Sequence, residues 1–151
     1  MSLTNVEFQL ILSDESKRVD GDISWSSDED HSPAYEFRAS VESDAGYPLQ
    51  LNGRVNLLAR TLTFCLLHRQ FGSIYRLDLG KNHHNPDCNF IGEVHKHSYE
   101  EGYSDKKAYV PPDIAEGIDD VVGVWRQFCR EAGISHNGTL QRPPPYQGIF
   151  V

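Results

Sequence analysis

Apolar and polar residues alternate with period two through much of the first eighty positions. In AYEFRASVES (34–43), Tyr35, Phe37, Ala39 and Val41 alternate with Glu36, Arg38, Ser40 and Glu42. A strand sends successive side chains to opposite faces, so this segment reads as a strand with one buried and one wet face. LQLNGRVNLLA (49–59) alternates again through Leu49, Leu51, Val55 and Leu57. Its Asn52–Gly53 pair marks either a hairpin turn or a bulge. RTLTFCLLHRQFGSIYRLDLG (60–80) reads as a hairpin with Phe71–Gly72 at the tip. That tip sets Arg69 opposite Ile74, His68 opposite Tyr75, Leu67 opposite Arg76, Leu66 opposite Leu77, Cys65 opposite Asp78 and Phe64 opposite Leu79. One face then collects Phe64, Leu66, His68, Tyr75, Leu77 and Leu79. The other carries Arg69, Arg76 and Asp78 beside Cys65, Leu67 and Ile74. Slippage by one residue would exchange the two faces.

VEFQLIL (6–12) reads as a first strand, SDESKRVDGD as a polar turn, and ISW (23–25) as a resumption of pairing. The acidic stretch at 26–32 reads as a loop, and NFIGEVHKHSYE (89–100) as a further strand. The pattern changes period near the end. In DIAEGIDDVVGVWRQFCREAG, Ile114, Ile118, Val121, Val122, Trp125, Phe128 and Cys129 form one apolar stripe at helical spacing. Asp113 with Glu116 matches a capping box, and Gly133 suits the left-handed position after the last turn. Gly117 and Gly123 each cost about 1 kcal/mol against Ala, so packing must hold this helix.

Strands followed by one helix, joined by short connections, predict an α+β fold. The sheet is an antiparallel meander, and the C-terminal amphipathic helix packs on its apolar face. Residues 1–133 form a single domain in this reading. Residues 134–151, SHNGTLQRPPPYQGIFV after Ile134, form an extended Pro-rich tail with three open fates: docking at an edge, meeting a partner, or staying loose.

A length of 151 residues suits one core, and no apolar run approaches the roughly 20 residues of a membrane helix. The opening MSLTNVEFQL lacks a basic stretch followed by an apolar one, so no signal peptide is expected. Three cysteines, an odd number, argue against a disulfide framework and for the cytoplasm. The net charge of −8 excludes loose binding to nucleic acid through phosphate neutralisation. The charge is unevenly spread. Residues 1–53 carry eleven acids and three bases, whereas 54–97 carry six bases and three acids. A local anion site in the middle segment is compatible with the acidic whole.

That middle segment contains GKNHHNPDCNFIGEVHKHS (80–98), with four of the seven histidines: His83, His84, His95 and His97. On a strand, His95 and His97 share a face about 6.5–7 Å apart, and Lys96 takes the other. Antiparallel pairing of 89–99 with 73–80 would bring them toward Arg76 and Asp78. Three readings compete. In the first, His95 and His97, with His83, Cys88 or Asp87, bind zinc or nickel; a lone cysteine among histidines is unlike the paired-cysteine zinc patterns. In the second, His95 and His97 are a metal-free acid–base pair, Arg76, Lys81 and Lys96 bind phosphate, and Asp78 orients a histidine or Arg76. In the third, the cluster is a solvated strand end, and Arg76–Asp78 is a simple ion pair. His68, on the apolar face, reads as a hydrogen-bonded core histidine, and Cys65 and Cys129 as packing residues.

IYRLDLGKNHH, then EVHKHSY, then a short loop and an amphipathic helix resembles the TumE-like bacterial proteins associated with toxin–antitoxin pairs, over roughly residues 60–132. The resemblance implies that Arg76, Asp78, His83 or His84, His95 and His97 form one polar cluster. It also implies an activity on RNA and a cognate antitoxin as partner. The alternatives are a non-enzymatic interaction protein of a toxin–antitoxin or phage-defence locus, whose acidic N-terminal half meets a basic partner, and a transition-metal binder.

Overall fold

Four strands in sequence build the centre of the sheet: β3 (Tyr35–Val41), β4 (Leu49–Asn56), β5 (Thr61–His68) and β6 (Gly72–Leu79). Each pairs antiparallel with the next. The coordinates are a computed structural model that describes residues 4–28, 33–80, 83–84, 90–91, 94–98, 108–109 and 120–144. The remaining elements are α1 (Asn5–Leu12), β1 (Arg18–Asp20), β2 (Ser26–Ser27), β7 (His83–His84), β8 (Phe90–Ile91), β9 (Val94–Ser98), β10 (Ala108–Tyr109), α2 (Val121–Ala132) and β11 (Ser135–Asn137). Among the described residues the main sheet has the order β10-β9-β6-β5-β4-β3-β2. The α+β class and the meander with a helix on its apolar face are as expected.

The hairpin β5–β6 keeps the expected faces, save at Ile74, but not the expected register. Leu66 stands opposite Tyr75, Cys65 opposite Arg76, Phe64 opposite Leu77 and Thr63 opposite Asp78. From Leu62 to Leu66 the shift is two residues, which keeps Phe64, Leu66, Tyr75, Leu77 and Leu79 on the apolar face, whereas Ile74, expected on the polar face, is buried in the core. The turn alone, with His68 opposite Gly72, shifts the pairing by three residues, and a bulge takes one of them back. Leu67 pairs with Ser73 and Leu66 with Tyr75, so Ile74 is the extra residue, and Ile74 and Tyr75 are consecutively buried. At the tip, His68 Nδ1 accepts from the backbone N–H groups of Gln70 at 3.1 Å and Phe71 at 3.3 Å. Burial lowers its pKa, and Glu7 partly offsets that. The buried His68 is thus the hydrogen-bonded core histidine that the pattern suggested. Asn52–Gly53 forms neither turn nor bulge, because β3 and β4 pair without interruption across it. Gly53 lies opposite Phe37, and a Cβ there would collide with the Phe37 ring.

Residues 6–12 are helical, contrary to the strand expected from their apolar, β-branched content. Thr4 and Glu7 form a capping box: Thr4 Oγ1 accepts from Glu7 N at 3.1 Å, and Thr4 N donates to Glu7 Oε1 at 3.1 Å. Phe8 and Ile11 reach the core, while Val6 and Leu10 stay exposed. The polar turn 13–22 contains β1, which pairs parallel with β11, with Val19 opposite His136. The all-antiparallel expectation fails there. Of the extended tail, residues 134–141 dock: Ile23 bridges Leu140, and the Trp25 indole N–H donates to the Gln141 carbonyl at 2.8 Å.

α2 starts at Val121 behind Asp120, whose carboxylate accepts from Gly123 N at 3.0 Å. Asp113, Ile114, Glu116 and Ile118, where the sequence placed the first turns, lie outside the described residues. Gly133 is left-handed (φ 69°) and closes the helix as expected. Val121, Trp125, Phe128 and Cys129 of the stripe are buried with Val124 and Ala132. Trp125 packs on Phe64 with ring centroids 5.1 Å apart and edge-on to Phe37 at 5.7 Å.

Lys17 has no exposed surface. Its ammonium donates to the carbonyls of Ile11 at 2.5 Å, Leu12 at 2.8 Å and Asp14 at 2.6 Å, which occupies all three of its donors. Two of these carbonyls belong to the last turn of α1 and the third to the segment that follows it. Burial lowers the Lys17 pKa to about 8, with Asp14 and Glu15 opposing the shift.

Trp125→Ala should cost about 3–5 kcal/mol in urea unfolding, because it empties the middle of the aromatic cluster. A second test uses the pH dependence of unfolding. Lys17 binds fewer protons in the folded state than in the unfolded one between pH 8 and its unperturbed pKa of 10.5. Its contribution to stability therefore rises with pH across that window. Burial raises the Cys129 pKa to about 12, which acts in the opposite direction above pH 9. The difference between wild type and Lys17→Met isolates the lysine, and it should grow from pH 8 to 10.5. A pH-independent difference would refute the assignment.

Candidate functional site

The sheet face turned away from α2 is polar along its length. The register aligns Arg38, Asn52, Cys65, Arg76 and His97 in one row across five strands. The next row runs Glu36, Arg54, Thr63, Asp78 and His95. Directly paired residues of antiparallel strands share a face, with neighbouring strands about 4.8 Å apart. The alternation that buries Phe64, Leu66, Leu77 and Leu79 on the helix side puts Thr63, Cys65, Arg76 and Asp78 on the other.

Asp78 is the anchor of the second row. It is only 4% exposed, which is unusual for a carboxylate. Its Oδ1 accepts from Thr63 Oγ1 at 2.6 Å, and its Oδ2 accepts from Arg76 Nε at 3.0 Å. A buried carboxylate is tolerated when charge-assisted hydrogen bonds replace its water. Asp78 thus accepts from both Thr63 and Arg76. Arg76 is held through Nε, and its side chain keeps about a third of its exposure. Further along the face, Arg54 pairs with Asp28 at 2.7 Å and with Glu36 at 3.5 Å. Gln50 donates to Asn52 at 2.8 Å.

β9 pairs antiparallel with β6, which brings His95 opposite Asp78 and His97 opposite Arg76. Lys96 stands opposite Leu77, so its register position falls on the other face from Arg76. His83 and His84 belong to a separate two-stranded pairing, opposite Ile91 and Phe90. Lys81, Asp87, Cys88 and Glu93 lie outside the described residues, as do Lys106 and Lys107. Among the described residues no group of three or more His, Cys, Asp or Glu is gathered around a metal-sized site. Cys65 is buried and donates to Ser73 Oγ at 3.1 Å. Cys129, on the buried face of α2, has its thiol pKa pushed up to about 12 by burial, so it is a packing residue. No helix among the described residues is long and apolar enough to cross a membrane.

The sequence pointed to Arg76, Asp78, His95 and His97 but missed Thr63. The expected register set Cys65 opposite Asp78; the turn that pairs His68 with Gly72 and the bulge at Ile74 together set Thr63 there. The adjacent apolar pair Ile74–Tyr75 was the available signal, since two buried neighbours break strict alternation.

Neither the curated proteins nor the solved structures contain a match to this chain. A family profile does match, over residues 3–134, which includes the whole sheet, the polar face and α2. The chain belongs to a family of unknown function, DUF6978.

Proposed function

We propose that the polar sheet face binds a phosphodiester and cleaves RNA through its own 2′-hydroxyl, in the manner of a ribonuclease-like toxin. The observation that carries this reading is the register, which pairs His97 with Arg76 and His95 with Asp78. Two imidazoles about 6.5–7 Å apart along a strand can flank one phosphate. The neutral one accepts the 2′-hydroxyl proton as that oxygen attacks phosphorus. The charged one gives its proton to the departing 5′-oxygen. Arg76, held by Asp78, offers a planar cation to the charge that develops on the phosphoryl oxygens. Asp78 and Thr63 are positioning residues, one step removed from the substrate. The resemblance to TumE-like proteins supports the same substrate and suggests an antitoxin as partner. The cytoplasm, where RNA lies, is the compartment this reading requires.

Expression of the wild type should slow bacterial growth, and the His95→Ala/His97→Ala pair should abolish the effect. With purified protein and end-labelled RNA, each histidine variant should lose about 10²–10⁴-fold in rate. Arg76→Ala should lose about 10²–10³-fold. Activity should fall on both sides of a pH optimum and persist in a chelator, because one imidazole must be charged, the other neutral, and no metal is used. Loss of activity on chelation, restored by zinc or nickel, would replace this mechanism with a metal-dependent one. Intact RNA and unslowed growth with folded wild type would sink the catalytic reading. They would favour an interaction protein whose N-terminal half, with eleven acids against three bases in residues 1–53, meets a basic partner.

A further inference from the structure

On the helix side of the sheet, a cleft of about 420 Å³ runs between α2 and the extended segment that follows it. Its walls include Val122, Trp125, Cys129, Ile134 and Leu140, and Arg126 and Arg130 stand at its rim. The volume lies in the range of small-molecule sites, which combine apolar walls with a few polar groups. The remaining polar side chains of the cleft are already committed to the fold. His136 Nδ1 accepts from the Trp125 indole N–H at 3.1 Å, and its Nε2 lies 2.8 Å from the Gly21 carbonyl. Thr139 donates through both N and Oγ1 to Asp22 Oδ1, at 2.9 and 3.2 Å. The two arginines differ. Both are exposed, and neither guanidinium has an ion pair or a side-chain hydrogen bond among the described residues.

Arg126 and Arg130 are four residues apart on one helix, which places their Cβ atoms about 5–6 Å from each other on the same side. Like charges at that spacing repel. The chain carries 22 acidic residues against 14 basic ones, yet no carboxylate among the described residues pairs with either guanidinium. An anion between the two would relieve the repulsion and accept from both planar forks. The apolar walls immediately below suit the body of such a molecule and offer it few hydrogen bonds.

We infer that this cleft binds a small amphipathic carboxylate, with its charged head between Arg126 and Arg130 and its apolar body against Val122, Trp125, Ile134 and Leu140. The site shares no residue with the polar face, because α2 lies on the opposite side of the sheet from Arg76 and Asp78. It therefore stands whether or not the chain cleaves RNA.

The test uses the full chain and 8-anilinonaphthalene-1-sulfonate, a fluorescent probe whose sulfonate stands in for the carboxylate. Binding should saturate at one equivalent. Decanoate should displace the probe, and decanol, with the same chain and no charge, should not. Arg126→Gln/Arg130→Gln should weaken probe binding at least tenfold without changing the far-ultraviolet circular dichroism, since both side chains are exposed. Val122→Trp, which fills the cleft from a half-buried position, should also weaken it. His95→Ala/His97→Ala should bind as the wild type does. Absent or non-saturating binding, equal displacement by decanol, or unchanged affinity in the double arginine variant would each overturn the proposal.

Discussion

Trp125 joins three parts of the molecule that share no continuous backbone ladder. Its ring meets Phe64 and Phe37 on the sheet and lies nearly parallel to Phe128 on its own helix, at 6.4 Å and 20°. Its indole N–H leaves the apolar cluster toward His136, which stands on β11. An imidazole nitrogen that accepts carries no proton, so the His136 proton is on Nε2 and is donated to the Gly21 carbonyl. One side chain thus sets the height of α2 over the sheet and ties the helix to β11 and to the turn after β1. A tryptophan is suited to this place because its buried N–H finds a partner while the rest of the ring remains among aromatic neighbours.

Lys17 closes the same end of the structure from the other side. Its ammonium gathers the last carbonyls of α1, and its own backbone carbonyl accepts from Ser135 N at 2.9 Å. A Cβ on Gly133 would come within 3.3 Å of that ammonium and 3.1 Å of the Leu12 carbonyl. The end of α2, the end of α1 and the β1–β11 pair therefore meet around one buried cation. A buried charge is costly when unpaired, and here three carbonyl dipoles replace its water. Segments 116 residues apart or more are fixed by this knot and by the Trp25–Gln141 bond.

Local alternation was enough to read β3 to β6 and the faces they present, and helical spacing was enough to read the stripe of α2. The errors have separate physical causes. α1 looked like a strand because Val6 and Leu10 are apolar yet exposed, which blurs its helical stripe. The signal that outweighed them was the Thr4–Glu7 capping box. β1 looked like a polar turn because only Val19 is apolar within Arg18–Asp20, and its ladder partner is His136, far along the chain. No local pattern carries a parallel pairing of that separation. In the candidate site, the shared face of Arg76 and Asp78 followed from parity alone, and the β6–β9 pairing sets His95 opposite Asp78 and His97 opposite Arg76. Their neighbours on β5 did not follow, because the turn at His68–Gly72 and the bulge at Ile74 together shift the pairing by two residues, and the break in alternation at Ile74–Tyr75 is the one local trace of it.

β5 couples the packing of the two faces of the sheet. Phe64 and Leu66 face Trp125 and Phe128, while Thr63 and Cys65 face Asp78, Arg76 and Ser73. Strict alternation means that the strand cannot slip by one residue to suit either side, since the slip would bury Thr63 and Cys65 among aromatic rings and expose Phe64. The aromatic cluster thereby fixes the register in which Thr63 meets Asp78 and Asp78 holds Arg76. Tightening or loosening the core under α2 acts on the polar face through that shared strand, while the covalent neighbours of Arg76 remain unchanged. The bulge at Ile74 absorbs the remaining mismatch with the His68-capped turn, so the turn and the site are each held in place without straining the other.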